Sequence, residues 1–231
     1  SPRESVGPDP RRWLFGSEGT LGIVTSAIVK IFPLPERVEH DALLFPSFEA
    51  GVAFLNDLSR SGVAPASVRL VDNLQFQLSQ TLRGPATGLN AYKRRVERWF
   101  VTKVRGLDPT KMVACTLLYE GGADEVGREI ATVQRLSKAR GAMRAGSENG
   151  KKGYQLTFGI AYIRDFVLKY GVLAESLETS VEWSRALELC SRVKARVARE
   201  AQEMGVKGAP FITCRISQIY PTGVCIYFYL G

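Results

Sequence analysis

Twice along this chain an apolar strand pattern runs into an amphipathic helix and out again into a second strand. In the first unit Asp41-Ala42-Leu43-Leu44-Phe45 reads as a short strand. Ser47 then stands where a helix cap is needed, with Glu49 in the first turn. Val52, Leu55 and Leu58 follow at helical spacing, Gly62 suits the stop, and Ala66 to Val71 is the next strand. In the second unit Met112 to Glu120 is the strand and Ala123 to Arg140 the helix, with Val126, Ile130, Val133 and Leu136 on one face. Gly141 ends that helix, and Ala142 to Gly146 returns as a strand. Two such units predict an α+β fold, a ferredoxin-like antiparallel sheet with helices on one face. The two halves show no repeat in sequence.

The remaining elements are placed by the same signals. Leu74 to Leu82 is a short helix and Gly84 to Gly88 a loop. Ser147 to Gly153 reads as a polar, glycine-flanked loop, and the apolar Gln155 to Tyr170 as a buried helix. Leu173 to Ser180 is a loop or short strand. Trp183 to Met204 is the longest helix, with Trp183, Leu187, Cys190, Val193 and Val197 facing inward and Gly205 as its stop. Phe211 to Ile219 and Val224 to Leu230 are strands joined by Tyr220-Pro221-Thr222-Gly223, a hairpin signal. The prolines and polar residues of 33–40 mark a boundary, so that residues 1–36 and 37–231 are expected as separate parts. Residues 1–12, rich in Pro and Arg, should be a loop or frayed end.

Several function classes are disfavoured by residue usage. The four cysteines, Cys115, Cys190, Cys214 and Cys225, form no C-x-x-C pair and lie in apolar stretches, as buried small hydrophobes do in a reducing compartment. The single histidine, His40, excludes a multi-histidine metal site and reads as a surface residue. The net charge of +8 suits an anionic partner, but no dense basic block interleaves with aromatics, which argues against nucleic acid. Tyr92 to Val104, with Lys93, Arg94, Arg95, Arg98 and Lys103 beside Trp99 and Phe100, is the one stretch suited to an anionic surface; an exposed helix face or loop is the simpler reading.

Ahead of the two units lies Trp13-Leu14-Phe15-Gly16-Ser17-Glu18-Gly19-Thr20-Leu21-Gly22-Ile23-Val24-Thr25. Gly16, Gly19 and Gly22 allow a backbone to press against a ligand and to offer its N–H groups to phosphate or carbonyl oxygens. The β-branched run Ile23 to Phe32 reads as a strand closed by Pro33 and Pro35. Spacing alone is satisfied by a plain glycine-rich turn. It is not a dinucleotide fingerprint, having no strand before and no helix after, nor a P-loop, having no Lys after its last Gly.

Residues 13–36 resemble the last FAD-contacting segment of flavoproteins related to vanillyl-alcohol oxidase. Three further runs narrow the likeness: Ala64-Pro65-Ala66-Ser67-Val68-Arg69-Leu70-Val71-Asp72-Asn73, Ile160-Ala161-Tyr162-Ile163-Arg164-Asp165 and Cys225-Ile226-Tyr227-Phe228-Tyr229. Together they resemble the alkyldihydroxyacetonephosphate synthases, ether-lipid enzymes, over nearly the whole chain. The resemblance implies FAD as cofactor, contacted by Gly16, Ser17, Glu18, Gly19, Thr20, Leu21, Gly22, Ile23 and Val24. It implies a redox-neutral exchange of the acyl group of acyl-dihydroxyacetone phosphate for a long-chain fatty alcohol. A homodimer, a peroxisomal or glycosomal location and peripheral membrane contact come with it. It also implies a larger FAD-binding domain ahead of Ser1 and a histidine-rich loop after the Cys225–Tyr229 run, so this segment alone is expected to be inactive.

Three side chains are singled out. Arg164, expected in a buried helix, needs either a carboxylate such as Asp165 or a bound anion; the resemblance assigns it to substrate. Arg69, between Val68 and Leu70, faces away from them and is by itself an ordinary strand residue; the resemblance makes it important for activity. Tyr227 and Tyr229 share a strand face, usually a packing role. The resemblance gives proton transfer to Tyr227, with Tyr229 the alternative and a nearby cation such as Arg164 as helper. Apolar walls for lipid tails are expected from the Gln155–Tyr170 helix, including Ile160 and Phe166. A flavin oxidase or dehydrogenase of a 2-hydroxy acid or phenol is the neighbouring alternative. A noncatalytic basic module for an acidic partner is the distant one.

Overall fold

The computed structural model describes residues 7–82, 88, 92, 95, 96 and 99–231, except the side chains of Thr157, Ile160 and Ala161. The loop read at Gly84 to Thr87, residues Lys93, Arg94 and Arg98 of the basic stretch, and the Ile160 wall lie outside them. The chain divides into two compact units, Ser1–Leu34 and Pro35–Gly231.

In the first unit a single helical turn, Arg11–Leu14, leads into the glycine-rich segment. The strand expected over Ile23 to Phe32 does not form: no ladder partner exists for it among the described residues. Unpaired, it leaves Ile23, Ile28, Ile31 and Phe32 exposed. β-branched composition favours extended backbone, but a strand also needs a neighbour to bond.

The second unit is one seven-stranded sheet. Its strands are β1 (Arg37–Phe45), β2 (Ser67–Val71), β3 (Val113–Gly121), β4 (Met143–Arg144), β5 (Glu175–Glu182), β6 (Ile212–Ile219) and β7 (Gly223–Leu230). Their spatial order is β4-β1-β3-β2-β6-β7-β5 and every pairing is antiparallel. The first four strands, with helices α1 (Phe48–Arg60) and α3 (Ala123–Ala139) in the crossovers, give the expected ferredoxin-like arrangement. β6, β7 and β5 extend it at the β2 edge, where Leu70 pairs with Ile216 and Val71 with Arg215. The segment read as a loop or short strand over Leu173 to Ser180 enters β5 at Glu175, and the strand runs along β7 as far as Glu182.

Strand alternation separates the two faces. Leu43, Phe45, Val68, Leu70, Val113, Cys115, Leu117, Cys214, Ile216, Val224, Ile226 and Phe228 point to one of them, the main core. Helices α1, α3 and α5 (Ala186–Glu203) cover that face through Val52, Phe54, Leu55, Leu58, Val126, Val133, Ala186 and Cys190. In α5, Leu189 and Val193 pack inward, whereas Leu187 is exposed. Trp183 belongs to a short 3-10 turn just before the helix.

Helices are not confined to one face. Helix α2 (Asn73–Thr81) sets Phe76 on the opposite side with Leu44 and Leu107. Helix α4 (Ser147–Leu168), 22 residues long and the longest described, crosses the same side over β1 and β3. The loop expected at Ser147 to Gly153 is therefore its first two turns. Its glycines mark close approach: a Cβ at Gly150 would run into the Asp41 carbonyl oxygen, and one at Gly153 would lie 2.5 Å from the Thr116 methyl. His40, read as a surface residue, is half-buried in β1 with its ring 5.6 Å from that of Tyr154 on α4.

Candidate active site

Beyond the ground covered by α4, the second face of the sheet carries polar and aromatic side chains from four adjacent strands. Arg69 comes from β2, between the inward Val68 and Leu70. Thr213 and Arg215 come from β6, Tyr227 and Tyr229 from β7, and Ser176 and Glu178 from β5. Register aligns them: Arg215 lies opposite Tyr227, Thr213 opposite Tyr229, Glu178 opposite Tyr227 and Ser176 opposite Tyr229.

The Arg215 guanidinium carbon is 4.9 Å from the Tyr227 ring centroid and 5.1 Å from that of Tyr229. The two rings are 5.0 Å apart at 43°. Arg69 stacks in the same way on Tyr154 of α4, at 5.5 Å. Ser176 Oγ and the Tyr227 hydroxyl share a hydrogen bond of 3.0 Å. Glu178 accepts from Cys225 Sγ at 2.9 Å and from Ser217 Oγ at 3.3 Å. Burial, then the positive charge of Arg215, draws the Arg69 guanidinium below its ordinary range, though an arginine stays protonated throughout the working pH range. Burial raises the Tyr229 phenol and Arg215 pulls it partway back. The face thus offers two cations, a phenol oriented by a serine, and aromatic walls.

Two of the three singled-out residues, Arg69 and Tyr227, meet here. Arg164 does not join them in any contact among the described residues. Its helix is formed, but the stretch expected to be buried is exposed at Phe158, Tyr162, Phe166, Leu168 and Tyr170. Arg164 pairs with Asp165 at 3.6 Å, both side chains 67% exposed. The cation beside the tyrosines is Arg215, which local sequence runs do not single out. Its signal lies in the pairing: the Tyr220–Gly223 hairpin starts the β6–β7 ladder, the bulge between Ile216 and Gln218 shifts the register by one residue, and Arg215 then falls opposite Tyr227.

The glycine-rich segment has its own geometry. Ser17 to Thr20 is a tight turn in which the Thr20 N–H donates to the Ser17 carbonyl at 2.9 Å, and its hydroxyl does so at 2.5 Å. Both central residues have positive φ, Glu18 at 49° and Gly19 at 81°. A non-glycine in that region is unusual and worth about 1–2 kcal/mol of strain. A Cβ added at Gly16, Gly19 or Gly22 would meet no atom within 4 Å. Leu21, Ile23 and Val24 are exposed. An open turn without side chains at three positions fits a flat cofactor approached through backbone donors.

This fold and this residue set define a class. Residues 34–231 match the family described as FAD linked oxidases, C-terminal domain, and the chain belongs to that family. Within it, the whole chain is similar to alkyldihydroxyacetonephosphate synthase. The Caenorhabditis elegans synthase is 41% identical over 231 residues, 100% of this chain and 39% of the relative. That of Dictyostelium discoideum is 27% identical over 226 residues, 98% of this chain and 37% of the relative. A solved structure of an alkyldihydroxyacetonephosphate synthase superposes with a TM-score of 0.80 at 27% identity, covering 99% of this chain and 41% of that one. A substrate-bound p-cresol methylhydroxylase, at 16% identity and a TM-score of 0.52, shares the fold over 85% of this chain and 39% of its own.

Proposed function

We propose that the chain carries the substrate domain of an ether-lipid synthase, together with the last cofactor-contacting segment of its FAD-binding domain. The reaction exchanges the acyl group of acyl-dihydroxyacetone phosphate for a long-chain alcohol, releasing the fatty acid and leaving alkyl-dihydroxyacetone phosphate. The carrying observation is the second-face cluster of Arg69, Arg215, Tyr227 and Ser176 in a chain alike along its full length to synthases.

FAD, when bound, supplies an electron sink next to the carbon that bears the ester. The backbone of Gly16 to Val24 would hold it. Tyr227, its hydroxyl held by Ser176, takes and returns the proton at that carbon. Arg69 is the second catalytic residue of the proposal, and Arg164 serves the anionic substrate from its place in the Ala161–Asp165 run, where its exposure leaves it accessible. The exposed aromatic side chains of α4 are suited to long aliphatic tails. A homodimer, peripheral contact with a membrane and a peroxisomal or glycosomal setting complete the proposal; among the described residues no helix is long and apolar enough to cross a membrane.

The test is anaerobic titration of the full-length flavoprotein with acyl-dihydroxyacetone phosphate. Fatty-acid release without net flavin reduction, followed by ether formation on adding alcohol, is expected. A second reading, an oxidase, draws on 37% identity to a Bacillus subtilis protein named glycolate oxidase subunit GlcD, but over only 70 residues. Two-electron reduction by substrate, reversed by oxygen, would establish it instead.

A further inference from the structure

We propose that Arg215 is the anchor for the phosphate of the substrate, presenting N–H donors to the phosphate oxygens while its guanidinium lies against the Tyr227 and Tyr229 rings. The inference rests on the function proposed above and extends it to a residue outside the runs that carry the resemblance.

Stacking explains why the donors are available. A guanidinium lying on aromatic rings spends its faces on them and keeps its in-plane N–H donors for something else. For one of those donors no acceptor is found among the described residues. Arg215 Nε is buried and has no hydrogen-bond partner. Thr213, fully buried and two residues along the same face of β6, has an Oγ1 equally without a partner. Buried donors are almost always satisfied in folded proteins, so two orphans side by side point to an absent acceptor.

Charge points the same way. Arg69 and Arg215 share this face, and the Arg69 guanidinium is drawn below its ordinary range by burial first and by the positive charge of Arg215 second. The carboxylate across the sheet, Glu178, is engaged by Cys225 and Ser217. A half-buried cation with an unfilled donor is stabilised by an anion, and a phosphate offers three oxygens to a guanidinium and a neighbouring hydroxyl. The phenol of Tyr227 then stands next to the anchored head, so that anchoring and proton transfer are set by adjacent strands in one register.

The test uses the full-length, flavin-bound enzyme with Arg215→Gln and Arg215→Lys. For Arg215→Gln the KM for palmitoyl-dihydroxyacetone phosphate should rise about tenfold to hundredfold, the KM for hexadecanol staying as in the wild type. Inhibition by inorganic phosphate should weaken in step. Arg215→Lys should recover part of the loss, since it keeps the charge but not the planar fork. Should Arg215→Gln fail to fold, Arg215→Lys alone must still show weaker phosphate inhibition. Phosphate should also raise the melting temperature of the wild type but not of Arg215→Gln, a readout independent of turnover. Unchanged KM and phosphate inhibition in both variants would overturn the anchor while leaving the synthase reading intact. Absence of any turnover in the wild type, with phosphate stabilisation still lost in Arg215→Gln, would instead remove the synthase reading and keep the anchor.

Discussion

Arg215 and Tyr227 face each other across the β6–β7 ladder with 4.9 Å between guanidinium carbon and ring centroid. Neither is placed by a loop. Their relation is fixed by the hairpin closed between Tyr220 and Gly223, by the bulge between Ile216 and Gln218 that shifts its register by one residue, and by the inward packing of Cys214, Ile216, Ile226 and Phe228. A site built on two hydrogen-bonded strands holds its geometry more tightly than one on flexible connections.

That rigidity separates the two tyrosines. Tyr227 shares a hydrogen bond with Ser176, whereas Tyr229 is shifted upward by burial. In the full-length enzyme Tyr227→Phe should lower kcat about 10²–10⁴-fold, the range for loss of a positioned acid–base group, with KM nearly unchanged. Tyr229→Phe should retain most of kcat. Steady-state kinetics beside melting curves would check this; equal losses in the two variants would remove the special role of Tyr227.

Helix α4 sits on the sheet by way of its glycines. Gly150→Ala would drive a methyl into the Asp41 backbone, which cannot swing aside, so a loss of about 1–3 kcal/mol is expected. At Gly159, in the same helix, an added Cβ would meet nothing within 4 Å, and Gly159→Ala should stabilise by about 0.5–1 kcal/mol through helix propensity. Urea unfolding of the two variants gives opposite signs if the crossing is as described.

The glycines at the start of α4 show where sequence reading runs out. Periodicity recovers the two strand–helix–strand units and the terminal hairpin because burial of one face leaves a repeat that can be counted. Gly150 and Gly153 look identical whether they free a loop or admit a neighbouring backbone, and only the position of β1 and β3 distinguishes the two. The apolar run Gln155 to Tyr170 has the composition of an interior helix, but composition cannot say whether an apolar face has a partner. Ile23 to Phe32 has strand character without a strand beside it among the described residues. Arg69 and Tyr227 stand out through local runs, whereas Arg215 requires pairing two strands first.

A different buried cluster ties β6 to α2 and α5. The Asp72 carboxylate, 3% exposed, accepts from the Gln75 N–H at 2.9 Å, the Cys214 N–H at 2.9 Å and Lys194 Nζ at 2.5 Å. It caps one helix, holds a strand and pairs with another helix. Asp72→Ala would strand two backbone donors and an ammonium, at a cost of about 3–5 kcal/mol. Lys194→Met should cost less, because the carboxylate keeps both N–H donors and the methylene stem is replaced. Chemical denaturation of both variants tests the ranking, and a larger loss for Lys194→Met would contradict it.

Stability should also carry a pH signature from Asp41. This carboxylate, 1% exposed in β1, accepts from the Ala42 N–H at 2.9 Å and from Arg144 Nε at 2.6 Å. Burial nevertheless wins, and its pKa is raised above the ordinary 3.8. The folded state therefore binds the Asp41 proton more tightly than the unfolded chain, so in that window unfolding free energy falls as pH rises. The contribution is fully present below the unfolded pKa and lost as pH climbs through the raised folded value. Asp41→Asn has no such step. Unfolding free energies of wild type and Asp41→Asn, measured in urea from about pH 3.5 to 7, bracket the unfolded carboxylate value. The wild-type advantage over the variant should shrink steadily with rising pH. An advantage that grows with pH would mean that the Arg144 ion pair outweighs burial and that the Asp41 carboxylate is held below its ordinary range.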